Sequence, residues 1–264
     1  MPRGARKTGK NGYIHIIVRG VNHQDIFYHD SDYERFLKIL GELKEKMGFE
    51  VICYCLMSNH VHLLLHDKDR RFPLIMRLLA GRYAQYFNCK YERSGHLFQN
   101  RYLSRPIDTT SYLLACVAYI HNNPEKAHIC PREKYRWSSF SDYLATDGAT
   151  FCSTDFVRQL AGSREVFVAM HDHQNPSNTF DEQHFEYGTE LEDSDVRSYL
   201  CDMLGKEDPT YIQTLQPKQR NIIINELKNL KIPCRQIARI TGLSLYMVSH
   251  TNGRRKAAGS SKNK

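Results

Sequence analysis

The sequence predicts an α+β protein: a ferredoxin-like split βαβ antiparallel sheet with helices on one side, plus a small all-α helix-turn-helix domain. Three observations predict it. The first 150 residues alternate as strand, helix, strand, strand, helix, strand, the order of that sheet. From about residue 206 helical spacing returns, and a polar, acidic stretch lies between. The expected division is a sheet domain over 1–146, an acidic linker with short helices over 147–205, and a basic helical domain with its tail over 206–264.

Each element has its own signal. Tyr13–Arg19 alternates, with Ile14, Ile16 and Val18 on one face and His15, Ile17 and Arg19 on the other. Ser31 or Asp32 can cap a helix in which Phe36, Leu37, Leu40, Leu43 and Met47 recur at helical spacing. Gly48 stands where that helix should stop. Glu50–Leu56 and His60–His66 read as two strands joined tightly through Met57, Ser58 and Asn59. Pro73 opens a second helix with Ile75, Leu79, Tyr83 and Tyr86 or Phe87 on its inner face, closed by Ser94-Gly95. A short strand over 100–105 and a helix over 109–122 complete the order. Residues 131–144, with the only tryptophan, Trp137, should pack back on this domain. Beyond the linker, Ile222, Ile223, Leu227 and Leu230 make one amphipathic face. Residues 233–241, Gly242 and 243–251 then give helix, tight turn, helix: Ala238 lets the helices cross, Gly242 turns the chain and Val248 closes the core.

Composition narrows the class. The chain has 264 residues, 41% of them hydrophobic, enough to bury a core without external support. No apolar run approaches the ~20 residues of a membrane span. The basic start, residues 1–7, lacks the apolar stretch of a signal peptide, so a cytoplasmic protein is expected. Eight cysteines are scattered without a Cys-x-x-Cys pair, which argues for reduced, buried thiols. The net charge of +8 is uneven: 22 Lys/Arg against 15 Asp/Glu over 1–149, 3 against 11 over 150–205, and 12 against 3 over 206–264. Two basic blocks suit a phosphate backbone, where each neutralised phosphate releases counterions; solvated faces are the competing reading.

The most informative residues are His60-Val61-His62, within Met57-Ser-Asn-His-Val-His-Leu-Leu-Leu65. Alternation puts the two imidazoles on one face and Val61 on the other. Rooted roughly 7 Å apart, about two strand rises, they can converge on one metal ion; ordinary packing is the competing reading. The helix over 109–122 leads to Tyr119 and Asn123, four residues apart and thus on one face. Packed on the sheet, that helix could hold the phenol over the metal while the Asn123 amide oxygen ligates it. Two imidazoles, an amide oxygen and substrate oxygens suit Mg²⁺ or Mn²⁺ better than a sulfur-rich zinc site does. Asn-Pro is also a turn-initiating pair, which is the plainer explanation of Asn123.

These residues resemble a family. Asn59-His-Val-His-Leu-Leu64, followed by Tyr119-Ile-His-Asn-Asn-Pro124, is similar to the HUH-class single-tyrosine transposases of IS200-like type, and most to the REP-associated tyrosine transposases. Arg19-Gly-Val-Asn-His-Gln-Asp-Ile-Phe27 resembles the family's opening segment. Arg82-Tyr-Ala-Gln-Tyr-Phe-Asn88 and Arg93-Ser-Gly-His-Leu-Phe-Gln-Asn-Arg-Tyr102 resemble its central segment, and Trp137-Ser-Ser139 its close. The resemblance covers about residues 1–145; Ser58 and Glu125 depart from its commoner choices. It implies that His60 and His62 hold a divalent metal, that Asn123 is a third ligand, and that Tyr119 is the nucleophile. It also implies cleavage and rejoining of hairpin or single-stranded DNA through a 5′-phosphotyrosine.

Basic and aromatic residues interleave over 82–105: Arg82, Lys90, Arg93, Arg101 and Arg105 among Tyr86, Tyr91, Phe98 and Tyr102. Such a strip suits stacked bases and paired phosphates, whereas Tyr83 and Phe87 belong to the core. In the C-terminal module Ser244, Tyr246, Met247, Ser249 and His250 fall on the outer face of a recognition helix, and Arg254 and Arg255 follow as backbone anchors on flanking duplex. Two other functions stay open: a DNA-binding regulator or genome-organising protein that cuts little, and a metal-dependent nuclease using water. Monomer and homodimer are both compatible with the sequence.

Overall fold

The computed structural model describes residues 11–146, 150–172, 186–187, 191, 193–230 and 232–251. Four alternating segments form the sheet: β1 (Tyr13–Arg19), β2 (Glu50–Leu56), β3 (His60–His66) and β4 (Leu103–Ile107). Their order is β2-β3-β1-β4, every neighbouring pair antiparallel, with β5 (Glu186–Tyr187) added on the edge at β4. This is the expected α+β sheet. The register sets Ile17 opposite His62 and His15 opposite Leu64. A bulge at Ile52 then sets Cys53 opposite Leu64 and Cys55 opposite His62. His15, Ile17, Cys53, Cys55, His62, Leu64 and Arg105 therefore share one face.

Helices cover both faces of the sheet, not the single face expected. α1 (Asp30–Met47) and α2 (Phe72–Lys90) pack on one another, and α1 reaches β2. They bury Phe36, Leu40, Leu43, Leu79, Tyr83 and Phe87. α3 (Thr110–His121) lies on the imidazole face, where Leu113, Cys116, Val117 and Ile120 join Cys53, Cys55 and Leu64 in one core. The opposite face, with Ile16, Val61, Leu63 and Leu65, is equally buried. The physical reason is composition: β1–β3 are apolar on both sides, and each side needs cover. Thr109 caps α3 by accepting from the Tyr112 amide.

A short α4 (Asn123–Lys126) continues from α3, and α5 (Phe140–Leu144) follows the Trp137 segment. That segment returns to the sheet as expected: the Leu56 amide donates to the Trp137 carbonyl, and Trp137 stacks on Tyr33 at 4.5 Å. α6 (Asp155–Ala161) and α7 (Arg164–Asp172) fall within the stretch expected to be a linker. Both pack on α3, and Val157, Ala161 and Phe167 enter its core. Their sequence is polar because each presents only a narrow apolar side. The chain divides into two units, residues 1–190 and 191–264, so the observed boundary falls inside that acidic stretch.

The second unit holds α8 (Asp193–Leu204), α9 (Pro217–Asn229), α10 (Cys234–Thr241) and α11 (Leu245–His250). Gly242 ends α10 at φ +68°, a left-handed conformation that favours glycine. Ile237, Ile240 and Val248 are buried between α10, α11 and their neighbours. The apolar face of α9 is set by Ile224 and Leu227, whereas Ile222, expected inside, is 59% exposed. Among the described residues no helix is long and apolar enough to cross a membrane.

Candidate functional site

Three imidazoles meet on the α3 face of the sheet. His60 and His62 stand on β3 with ring centroids 5.0 Å apart, nearly perpendicular. His15 of β1, diagonal to His62 across the ladder, shares a hydrogen bond of 3.1 Å between its Nε2 and His62 Nδ1. His60 Nδ1 lies 2.6 Å from Asn59 Oδ1. In each ring of the pair Nδ1 is thus engaged and Nε2 remains as the nitrogen that can ligate. Burial is the main reason all three stay neutral: it pushes His60 down to about 4 and His15 to about 3, with Arg19 and Arg105 respectively adding to the effect. Burial, then His60 and His15, drives His62 further down.

The pair fits a divalent ion chemically. Neutral imidazoles are the ligating form. Two of them on one ion at roughly 2.1 Å, at a right to tetrahedral angle, put their centroids about 4.5–5.3 Å apart. Among the described residues no three His, Cys, Asp or Glu side chains are placed to hold a metal. Any further ligand to an ion held by the pair would be an oxygen of an amide, water or substrate.

Tyr119 projects from α3 into this cluster. Its ring centroid lies 5.6 Å from that of His62 and 6.0 Å from that of His15, both edge-on. Asn123 stands one turn later and donates Nδ2 to the carbonyls of Tyr119 and Ile120, at 2.9 and 3.2 Å. The local reason is Pro124, which has no N–H for the Ile120 carbonyl. The amide nitrogen is thereby committed, and Oδ1 is the Asn123 atom able to ligate.

Sequence reasoning missed two groups here. Alternation places His15 only on a strand face, and the β1–β3 register is what brings it to His62. The second lies immediately behind Tyr119. Buried His121 has Nδ1 3.1 Å from His171 Nε2 of α7 and Nε2 2.9 Å from Ser139 Oγ. His171 Nδ1 lies 2.7 Å from the Phe167 carbonyl, so it carries the proton. The protons are then assigned in turn: His121 Nδ1 donates to His171, and Ser139 donates to His121 Nε2. Asn122 Nδ2 donates to the His171 carbonyl at 2.8 Å, and Arg132 donates to Asn122 Oδ1 at 3.2 Å and to Glu125 at 3.1 Å. α3 is held to β2 and α7 through polar contacts on both sides.

The residues expected to bind DNA are dispersed. Lys90 donates to buried Asp32 at 2.6 Å, beside Tyr86 and Tyr91, which donate to the same carboxylate at 3.0 and 2.6 Å. The Tyr28 and His29 amides complete the set. Burial alone would raise the Asp32 carboxyl, but these bonds hold it at about 2. Lys90 thus ties α2 to the start of α1 while staying exposed. Arg93 donates to Gln24 Oε1 at 2.9 Å and Arg82 pairs with Glu42 at 3.8 Å. Arg105 lies on the imidazole face, with its guanidinium 5.0 Å from the Tyr112 ring centre, while Arg101 is exposed. Tyr83 and Phe87 are fully buried, as expected. In the second unit Ser244 caps α11 by accepting from the Met247 amide. Tyr246 is 72% exposed and stacks on His250, and Ser249 donates to the Tyr246 carbonyl. Arg254 and Arg255 lie outside the described residues.

Residues 8–123 match the family model described as "Transposase IS200 like". No curated protein matches the chain. Among solved structures, a REP-associated tyrosine transposase bound to a REP hairpin is 18% identical, with 58% of this chain and 90% of that chain covered and a TM-score of 0.44. A candidate transposase from Deinococcus radiodurans R1 is 20% identical, with coverage of 46% and 96% and a TM-score of 0.32.

Proposed function

From the match of residues 8–123 to the IS200-like transposase family model, we propose that this chain cuts and rejoins DNA strands through a covalent bond to Tyr119. The observation that carries the reading is the meeting of Tyr119 with the His60, His62 and His15 cluster. Hairpin or single-stranded DNA is the substrate, with the basic second unit adding contacts to flanking duplex through Ser244, Tyr246 and Ser249. The protein works in the cytoplasm on DNA.

The residues divide the labour. His60 and His62 would hold the divalent ion through Nε2, with Asn123 Oδ1 as the third protein ligand. Such an ion, Mg²⁺ or Mn²⁺, polarises the scissile phosphate and offsets charge developing on it. A free phenol ionises near pH 10, so unaided it is a weak nucleophile at neutral pH. α3 compensates by presenting Tyr119 on a rigid support, which converts the attack into an oriented, effectively unimolecular event. As the Tyr119 Oη–phosphorus bond forms, the bond to the 3′-oxygen breaks, leaving a 5′-phosphotyrosine and a free 3′-hydroxyl. A phosphodiester has been exchanged for a phosphodiester, so a second 3′-hydroxyl can reverse the step on a new strand without ATP.

The test is a denaturant-resistant protein–DNA adduct with a labelled hairpin and Mn²⁺. Tyr119→Phe should abolish it, and Tyr112→Phe, two turns earlier on α3, should not. An unchanged adduct in Tyr119→Phe would overturn the assignment. Cutting that persists in that variant without an adduct would indicate a water-using nuclease, and hairpin binding without cutting would indicate a regulator.

A further inference from the structure

Lys126 lies against the Tyr119 ring. It follows Tyr119 by seven residues, two helical turns, which brings both to one side of the α3–α4 run. The Lys126 amide donates to the Asn122 carbonyl at 3.0 Å, so the helical path continues through the joint. The ammonium nitrogen sits 4.1 Å from the centre of the Tyr119 ring. Lys126 is exposed along part of its length, and among the described residues no carboxylate pairs with it. Partial desolvation by its neighbours lowers its pKa from the ordinary lysine value. The other titratable groups facing the Tyr119 ring, His62 on β3 and His15 on β1, are neutral. Lys126 therefore sets a cation directly against the ring.

We propose that Lys126 is a catalytic residue, an ammonium held beside the Tyr119 ring to meet the scissile phosphate and stabilise the charge it gains during transfer. This rests on Tyr119 being the nucleophile. The chemistry asks for such a cation. A phosphodiester carries one negative charge, and a second develops as Oη closes on phosphorus and the 3′-oxygen starts to leave. The phenolic proton departs to solvent, and the 3′-oxygen takes one from solvent. Lys126 stays protonated throughout and exchanges nothing. An ammonium already stripped of part of its water interacts more strongly with that charge than a solvated one. The same placement favours the reverse step, in which phosphotyrosine is attacked by a 3′-hydroxyl.

The alternative role is packing, in which the lysine stem merely steadies the ring. Lys126→Met and Lys126→Arg separate the two, since Met keeps the stem and Arg keeps the charge. Single-turnover adduct formation is measured with the labelled hairpin and Mn²⁺, and hairpin affinity is measured separately in a Tyr119→Phe background. If the charge acts in transfer, Lys126→Met slows adduct formation roughly 10²-fold with hairpin affinity within about threefold. Lys126→Arg then recovers most of the rate. A wild-type rate in Lys126→Met overturns the proposal. So does a rate loss that Lys126→Arg shares in full, or one matched by an equal loss of hairpin affinity. Tyr119→Phe is the separate control: if it still forms adduct, the nucleophile reading fails first.

Discussion

Replacing His171 with leucine should change how the stability of the first unit depends on pH, not only its size. His171 is 2% exposed. Burial pushes its pKa from 6.5 down to about 4, against the lift from its bond to the Phe167 carbonyl. The imidazole is thus neutral in the fold, and between about pH 6.5 and pH 4 the unfolded chain binds a proton that the native state refuses. Stability from this group is complete above the unfolded value and declines as pH falls through that window. At about 1.4 kcal/mol per pKa unit, the loss reaches about 3 kcal/mol at pH 4. His171→Leu removes that dependence. It also strands the His121 Nδ1 proton in a dry interior, which costs about 1–3 kcal/mol at every pH. The variant should therefore be less stable at pH 7, and the gap should close or reverse by pH 4. Urea unfolding followed by Trp137 fluorescence reads the right unit, because the only tryptophan stacks on Tyr33 within it. Parallel pH–stability curves for the two proteins would refute the reasoning.

Three further outcomes are expected. Mn²⁺ binding, measured by calorimetry, should be lost in His62→Ala and weakened ~10–100-fold in His15→Phe, which removes the partner of His62 Nδ1; unchanged affinity in His15→Phe would show that the hydrogen bond does not orient the ligand. Lys90→Met leaves the buried Asp32 carboxylate short of its cation and should destabilise the first unit by about 1–2 kcal/mol in the Trp137 assay, since two amides and two phenols still reach it. Gly242→Ala places a Cβ at φ +68° and 2.3 Å from Gln213 Nε2, so it should cost the second unit about 1–2 kcal/mol. Hydrogen exchange should then quicken in α10 and α11 while β1–β4 stay protected.

The sheet was legible because alternation is a local signal. β1, β2 and β3 fall on the residues their patterns indicated, and the turn at Met57, Ser58 and Asn59 joins the last two. Edges set by caps were less legible. α2 ends at Lys90, before Ser94-Gly95, and α1 starts at Asp30, with Asp32 serving its third position instead of its cap. The basic strip over 82–105 reads as charge without partners, because its partners lie far off in sequence. Asp32, some sixty residues earlier, takes hydrogen bonds from Lys90, Tyr86 and Tyr91. Short helices are expected where α6 and α7 lie, but not their packing on α3: acidic composition dominates the stretch, while only a few residues, Val157 and Phe167 among them, carry the packing.

The candidate site depends on long-range register more than on any motif. A slip of one residue in β3 would turn His60 and His62 to the opposite face and Val61 toward α3. Two features oppose it: apolar burial on both faces of the strand, and the bulge at Ile52, which fixes how β2 counts against β3. Tyr119 needs a second constraint, because its helix could slide along the sheet without changing strand pairing. His121 supplies it. Two residues beyond Tyr119, it is bonded to Ser139 on one side and His171 on the other, and Ser139 in turn accepts from the Tyr54 amide of β2. A chain of directed hydrogen bonds thus runs from the sheet that carries the imidazoles, through the helix that carries the phenol, to α7. Hydrogen bonds of this kind tolerate displacement of only a few tenths of an ångström. The acidic stretch, which the sequence presents as a connector, is in this way part of what holds Tyr119 at its distance from His62.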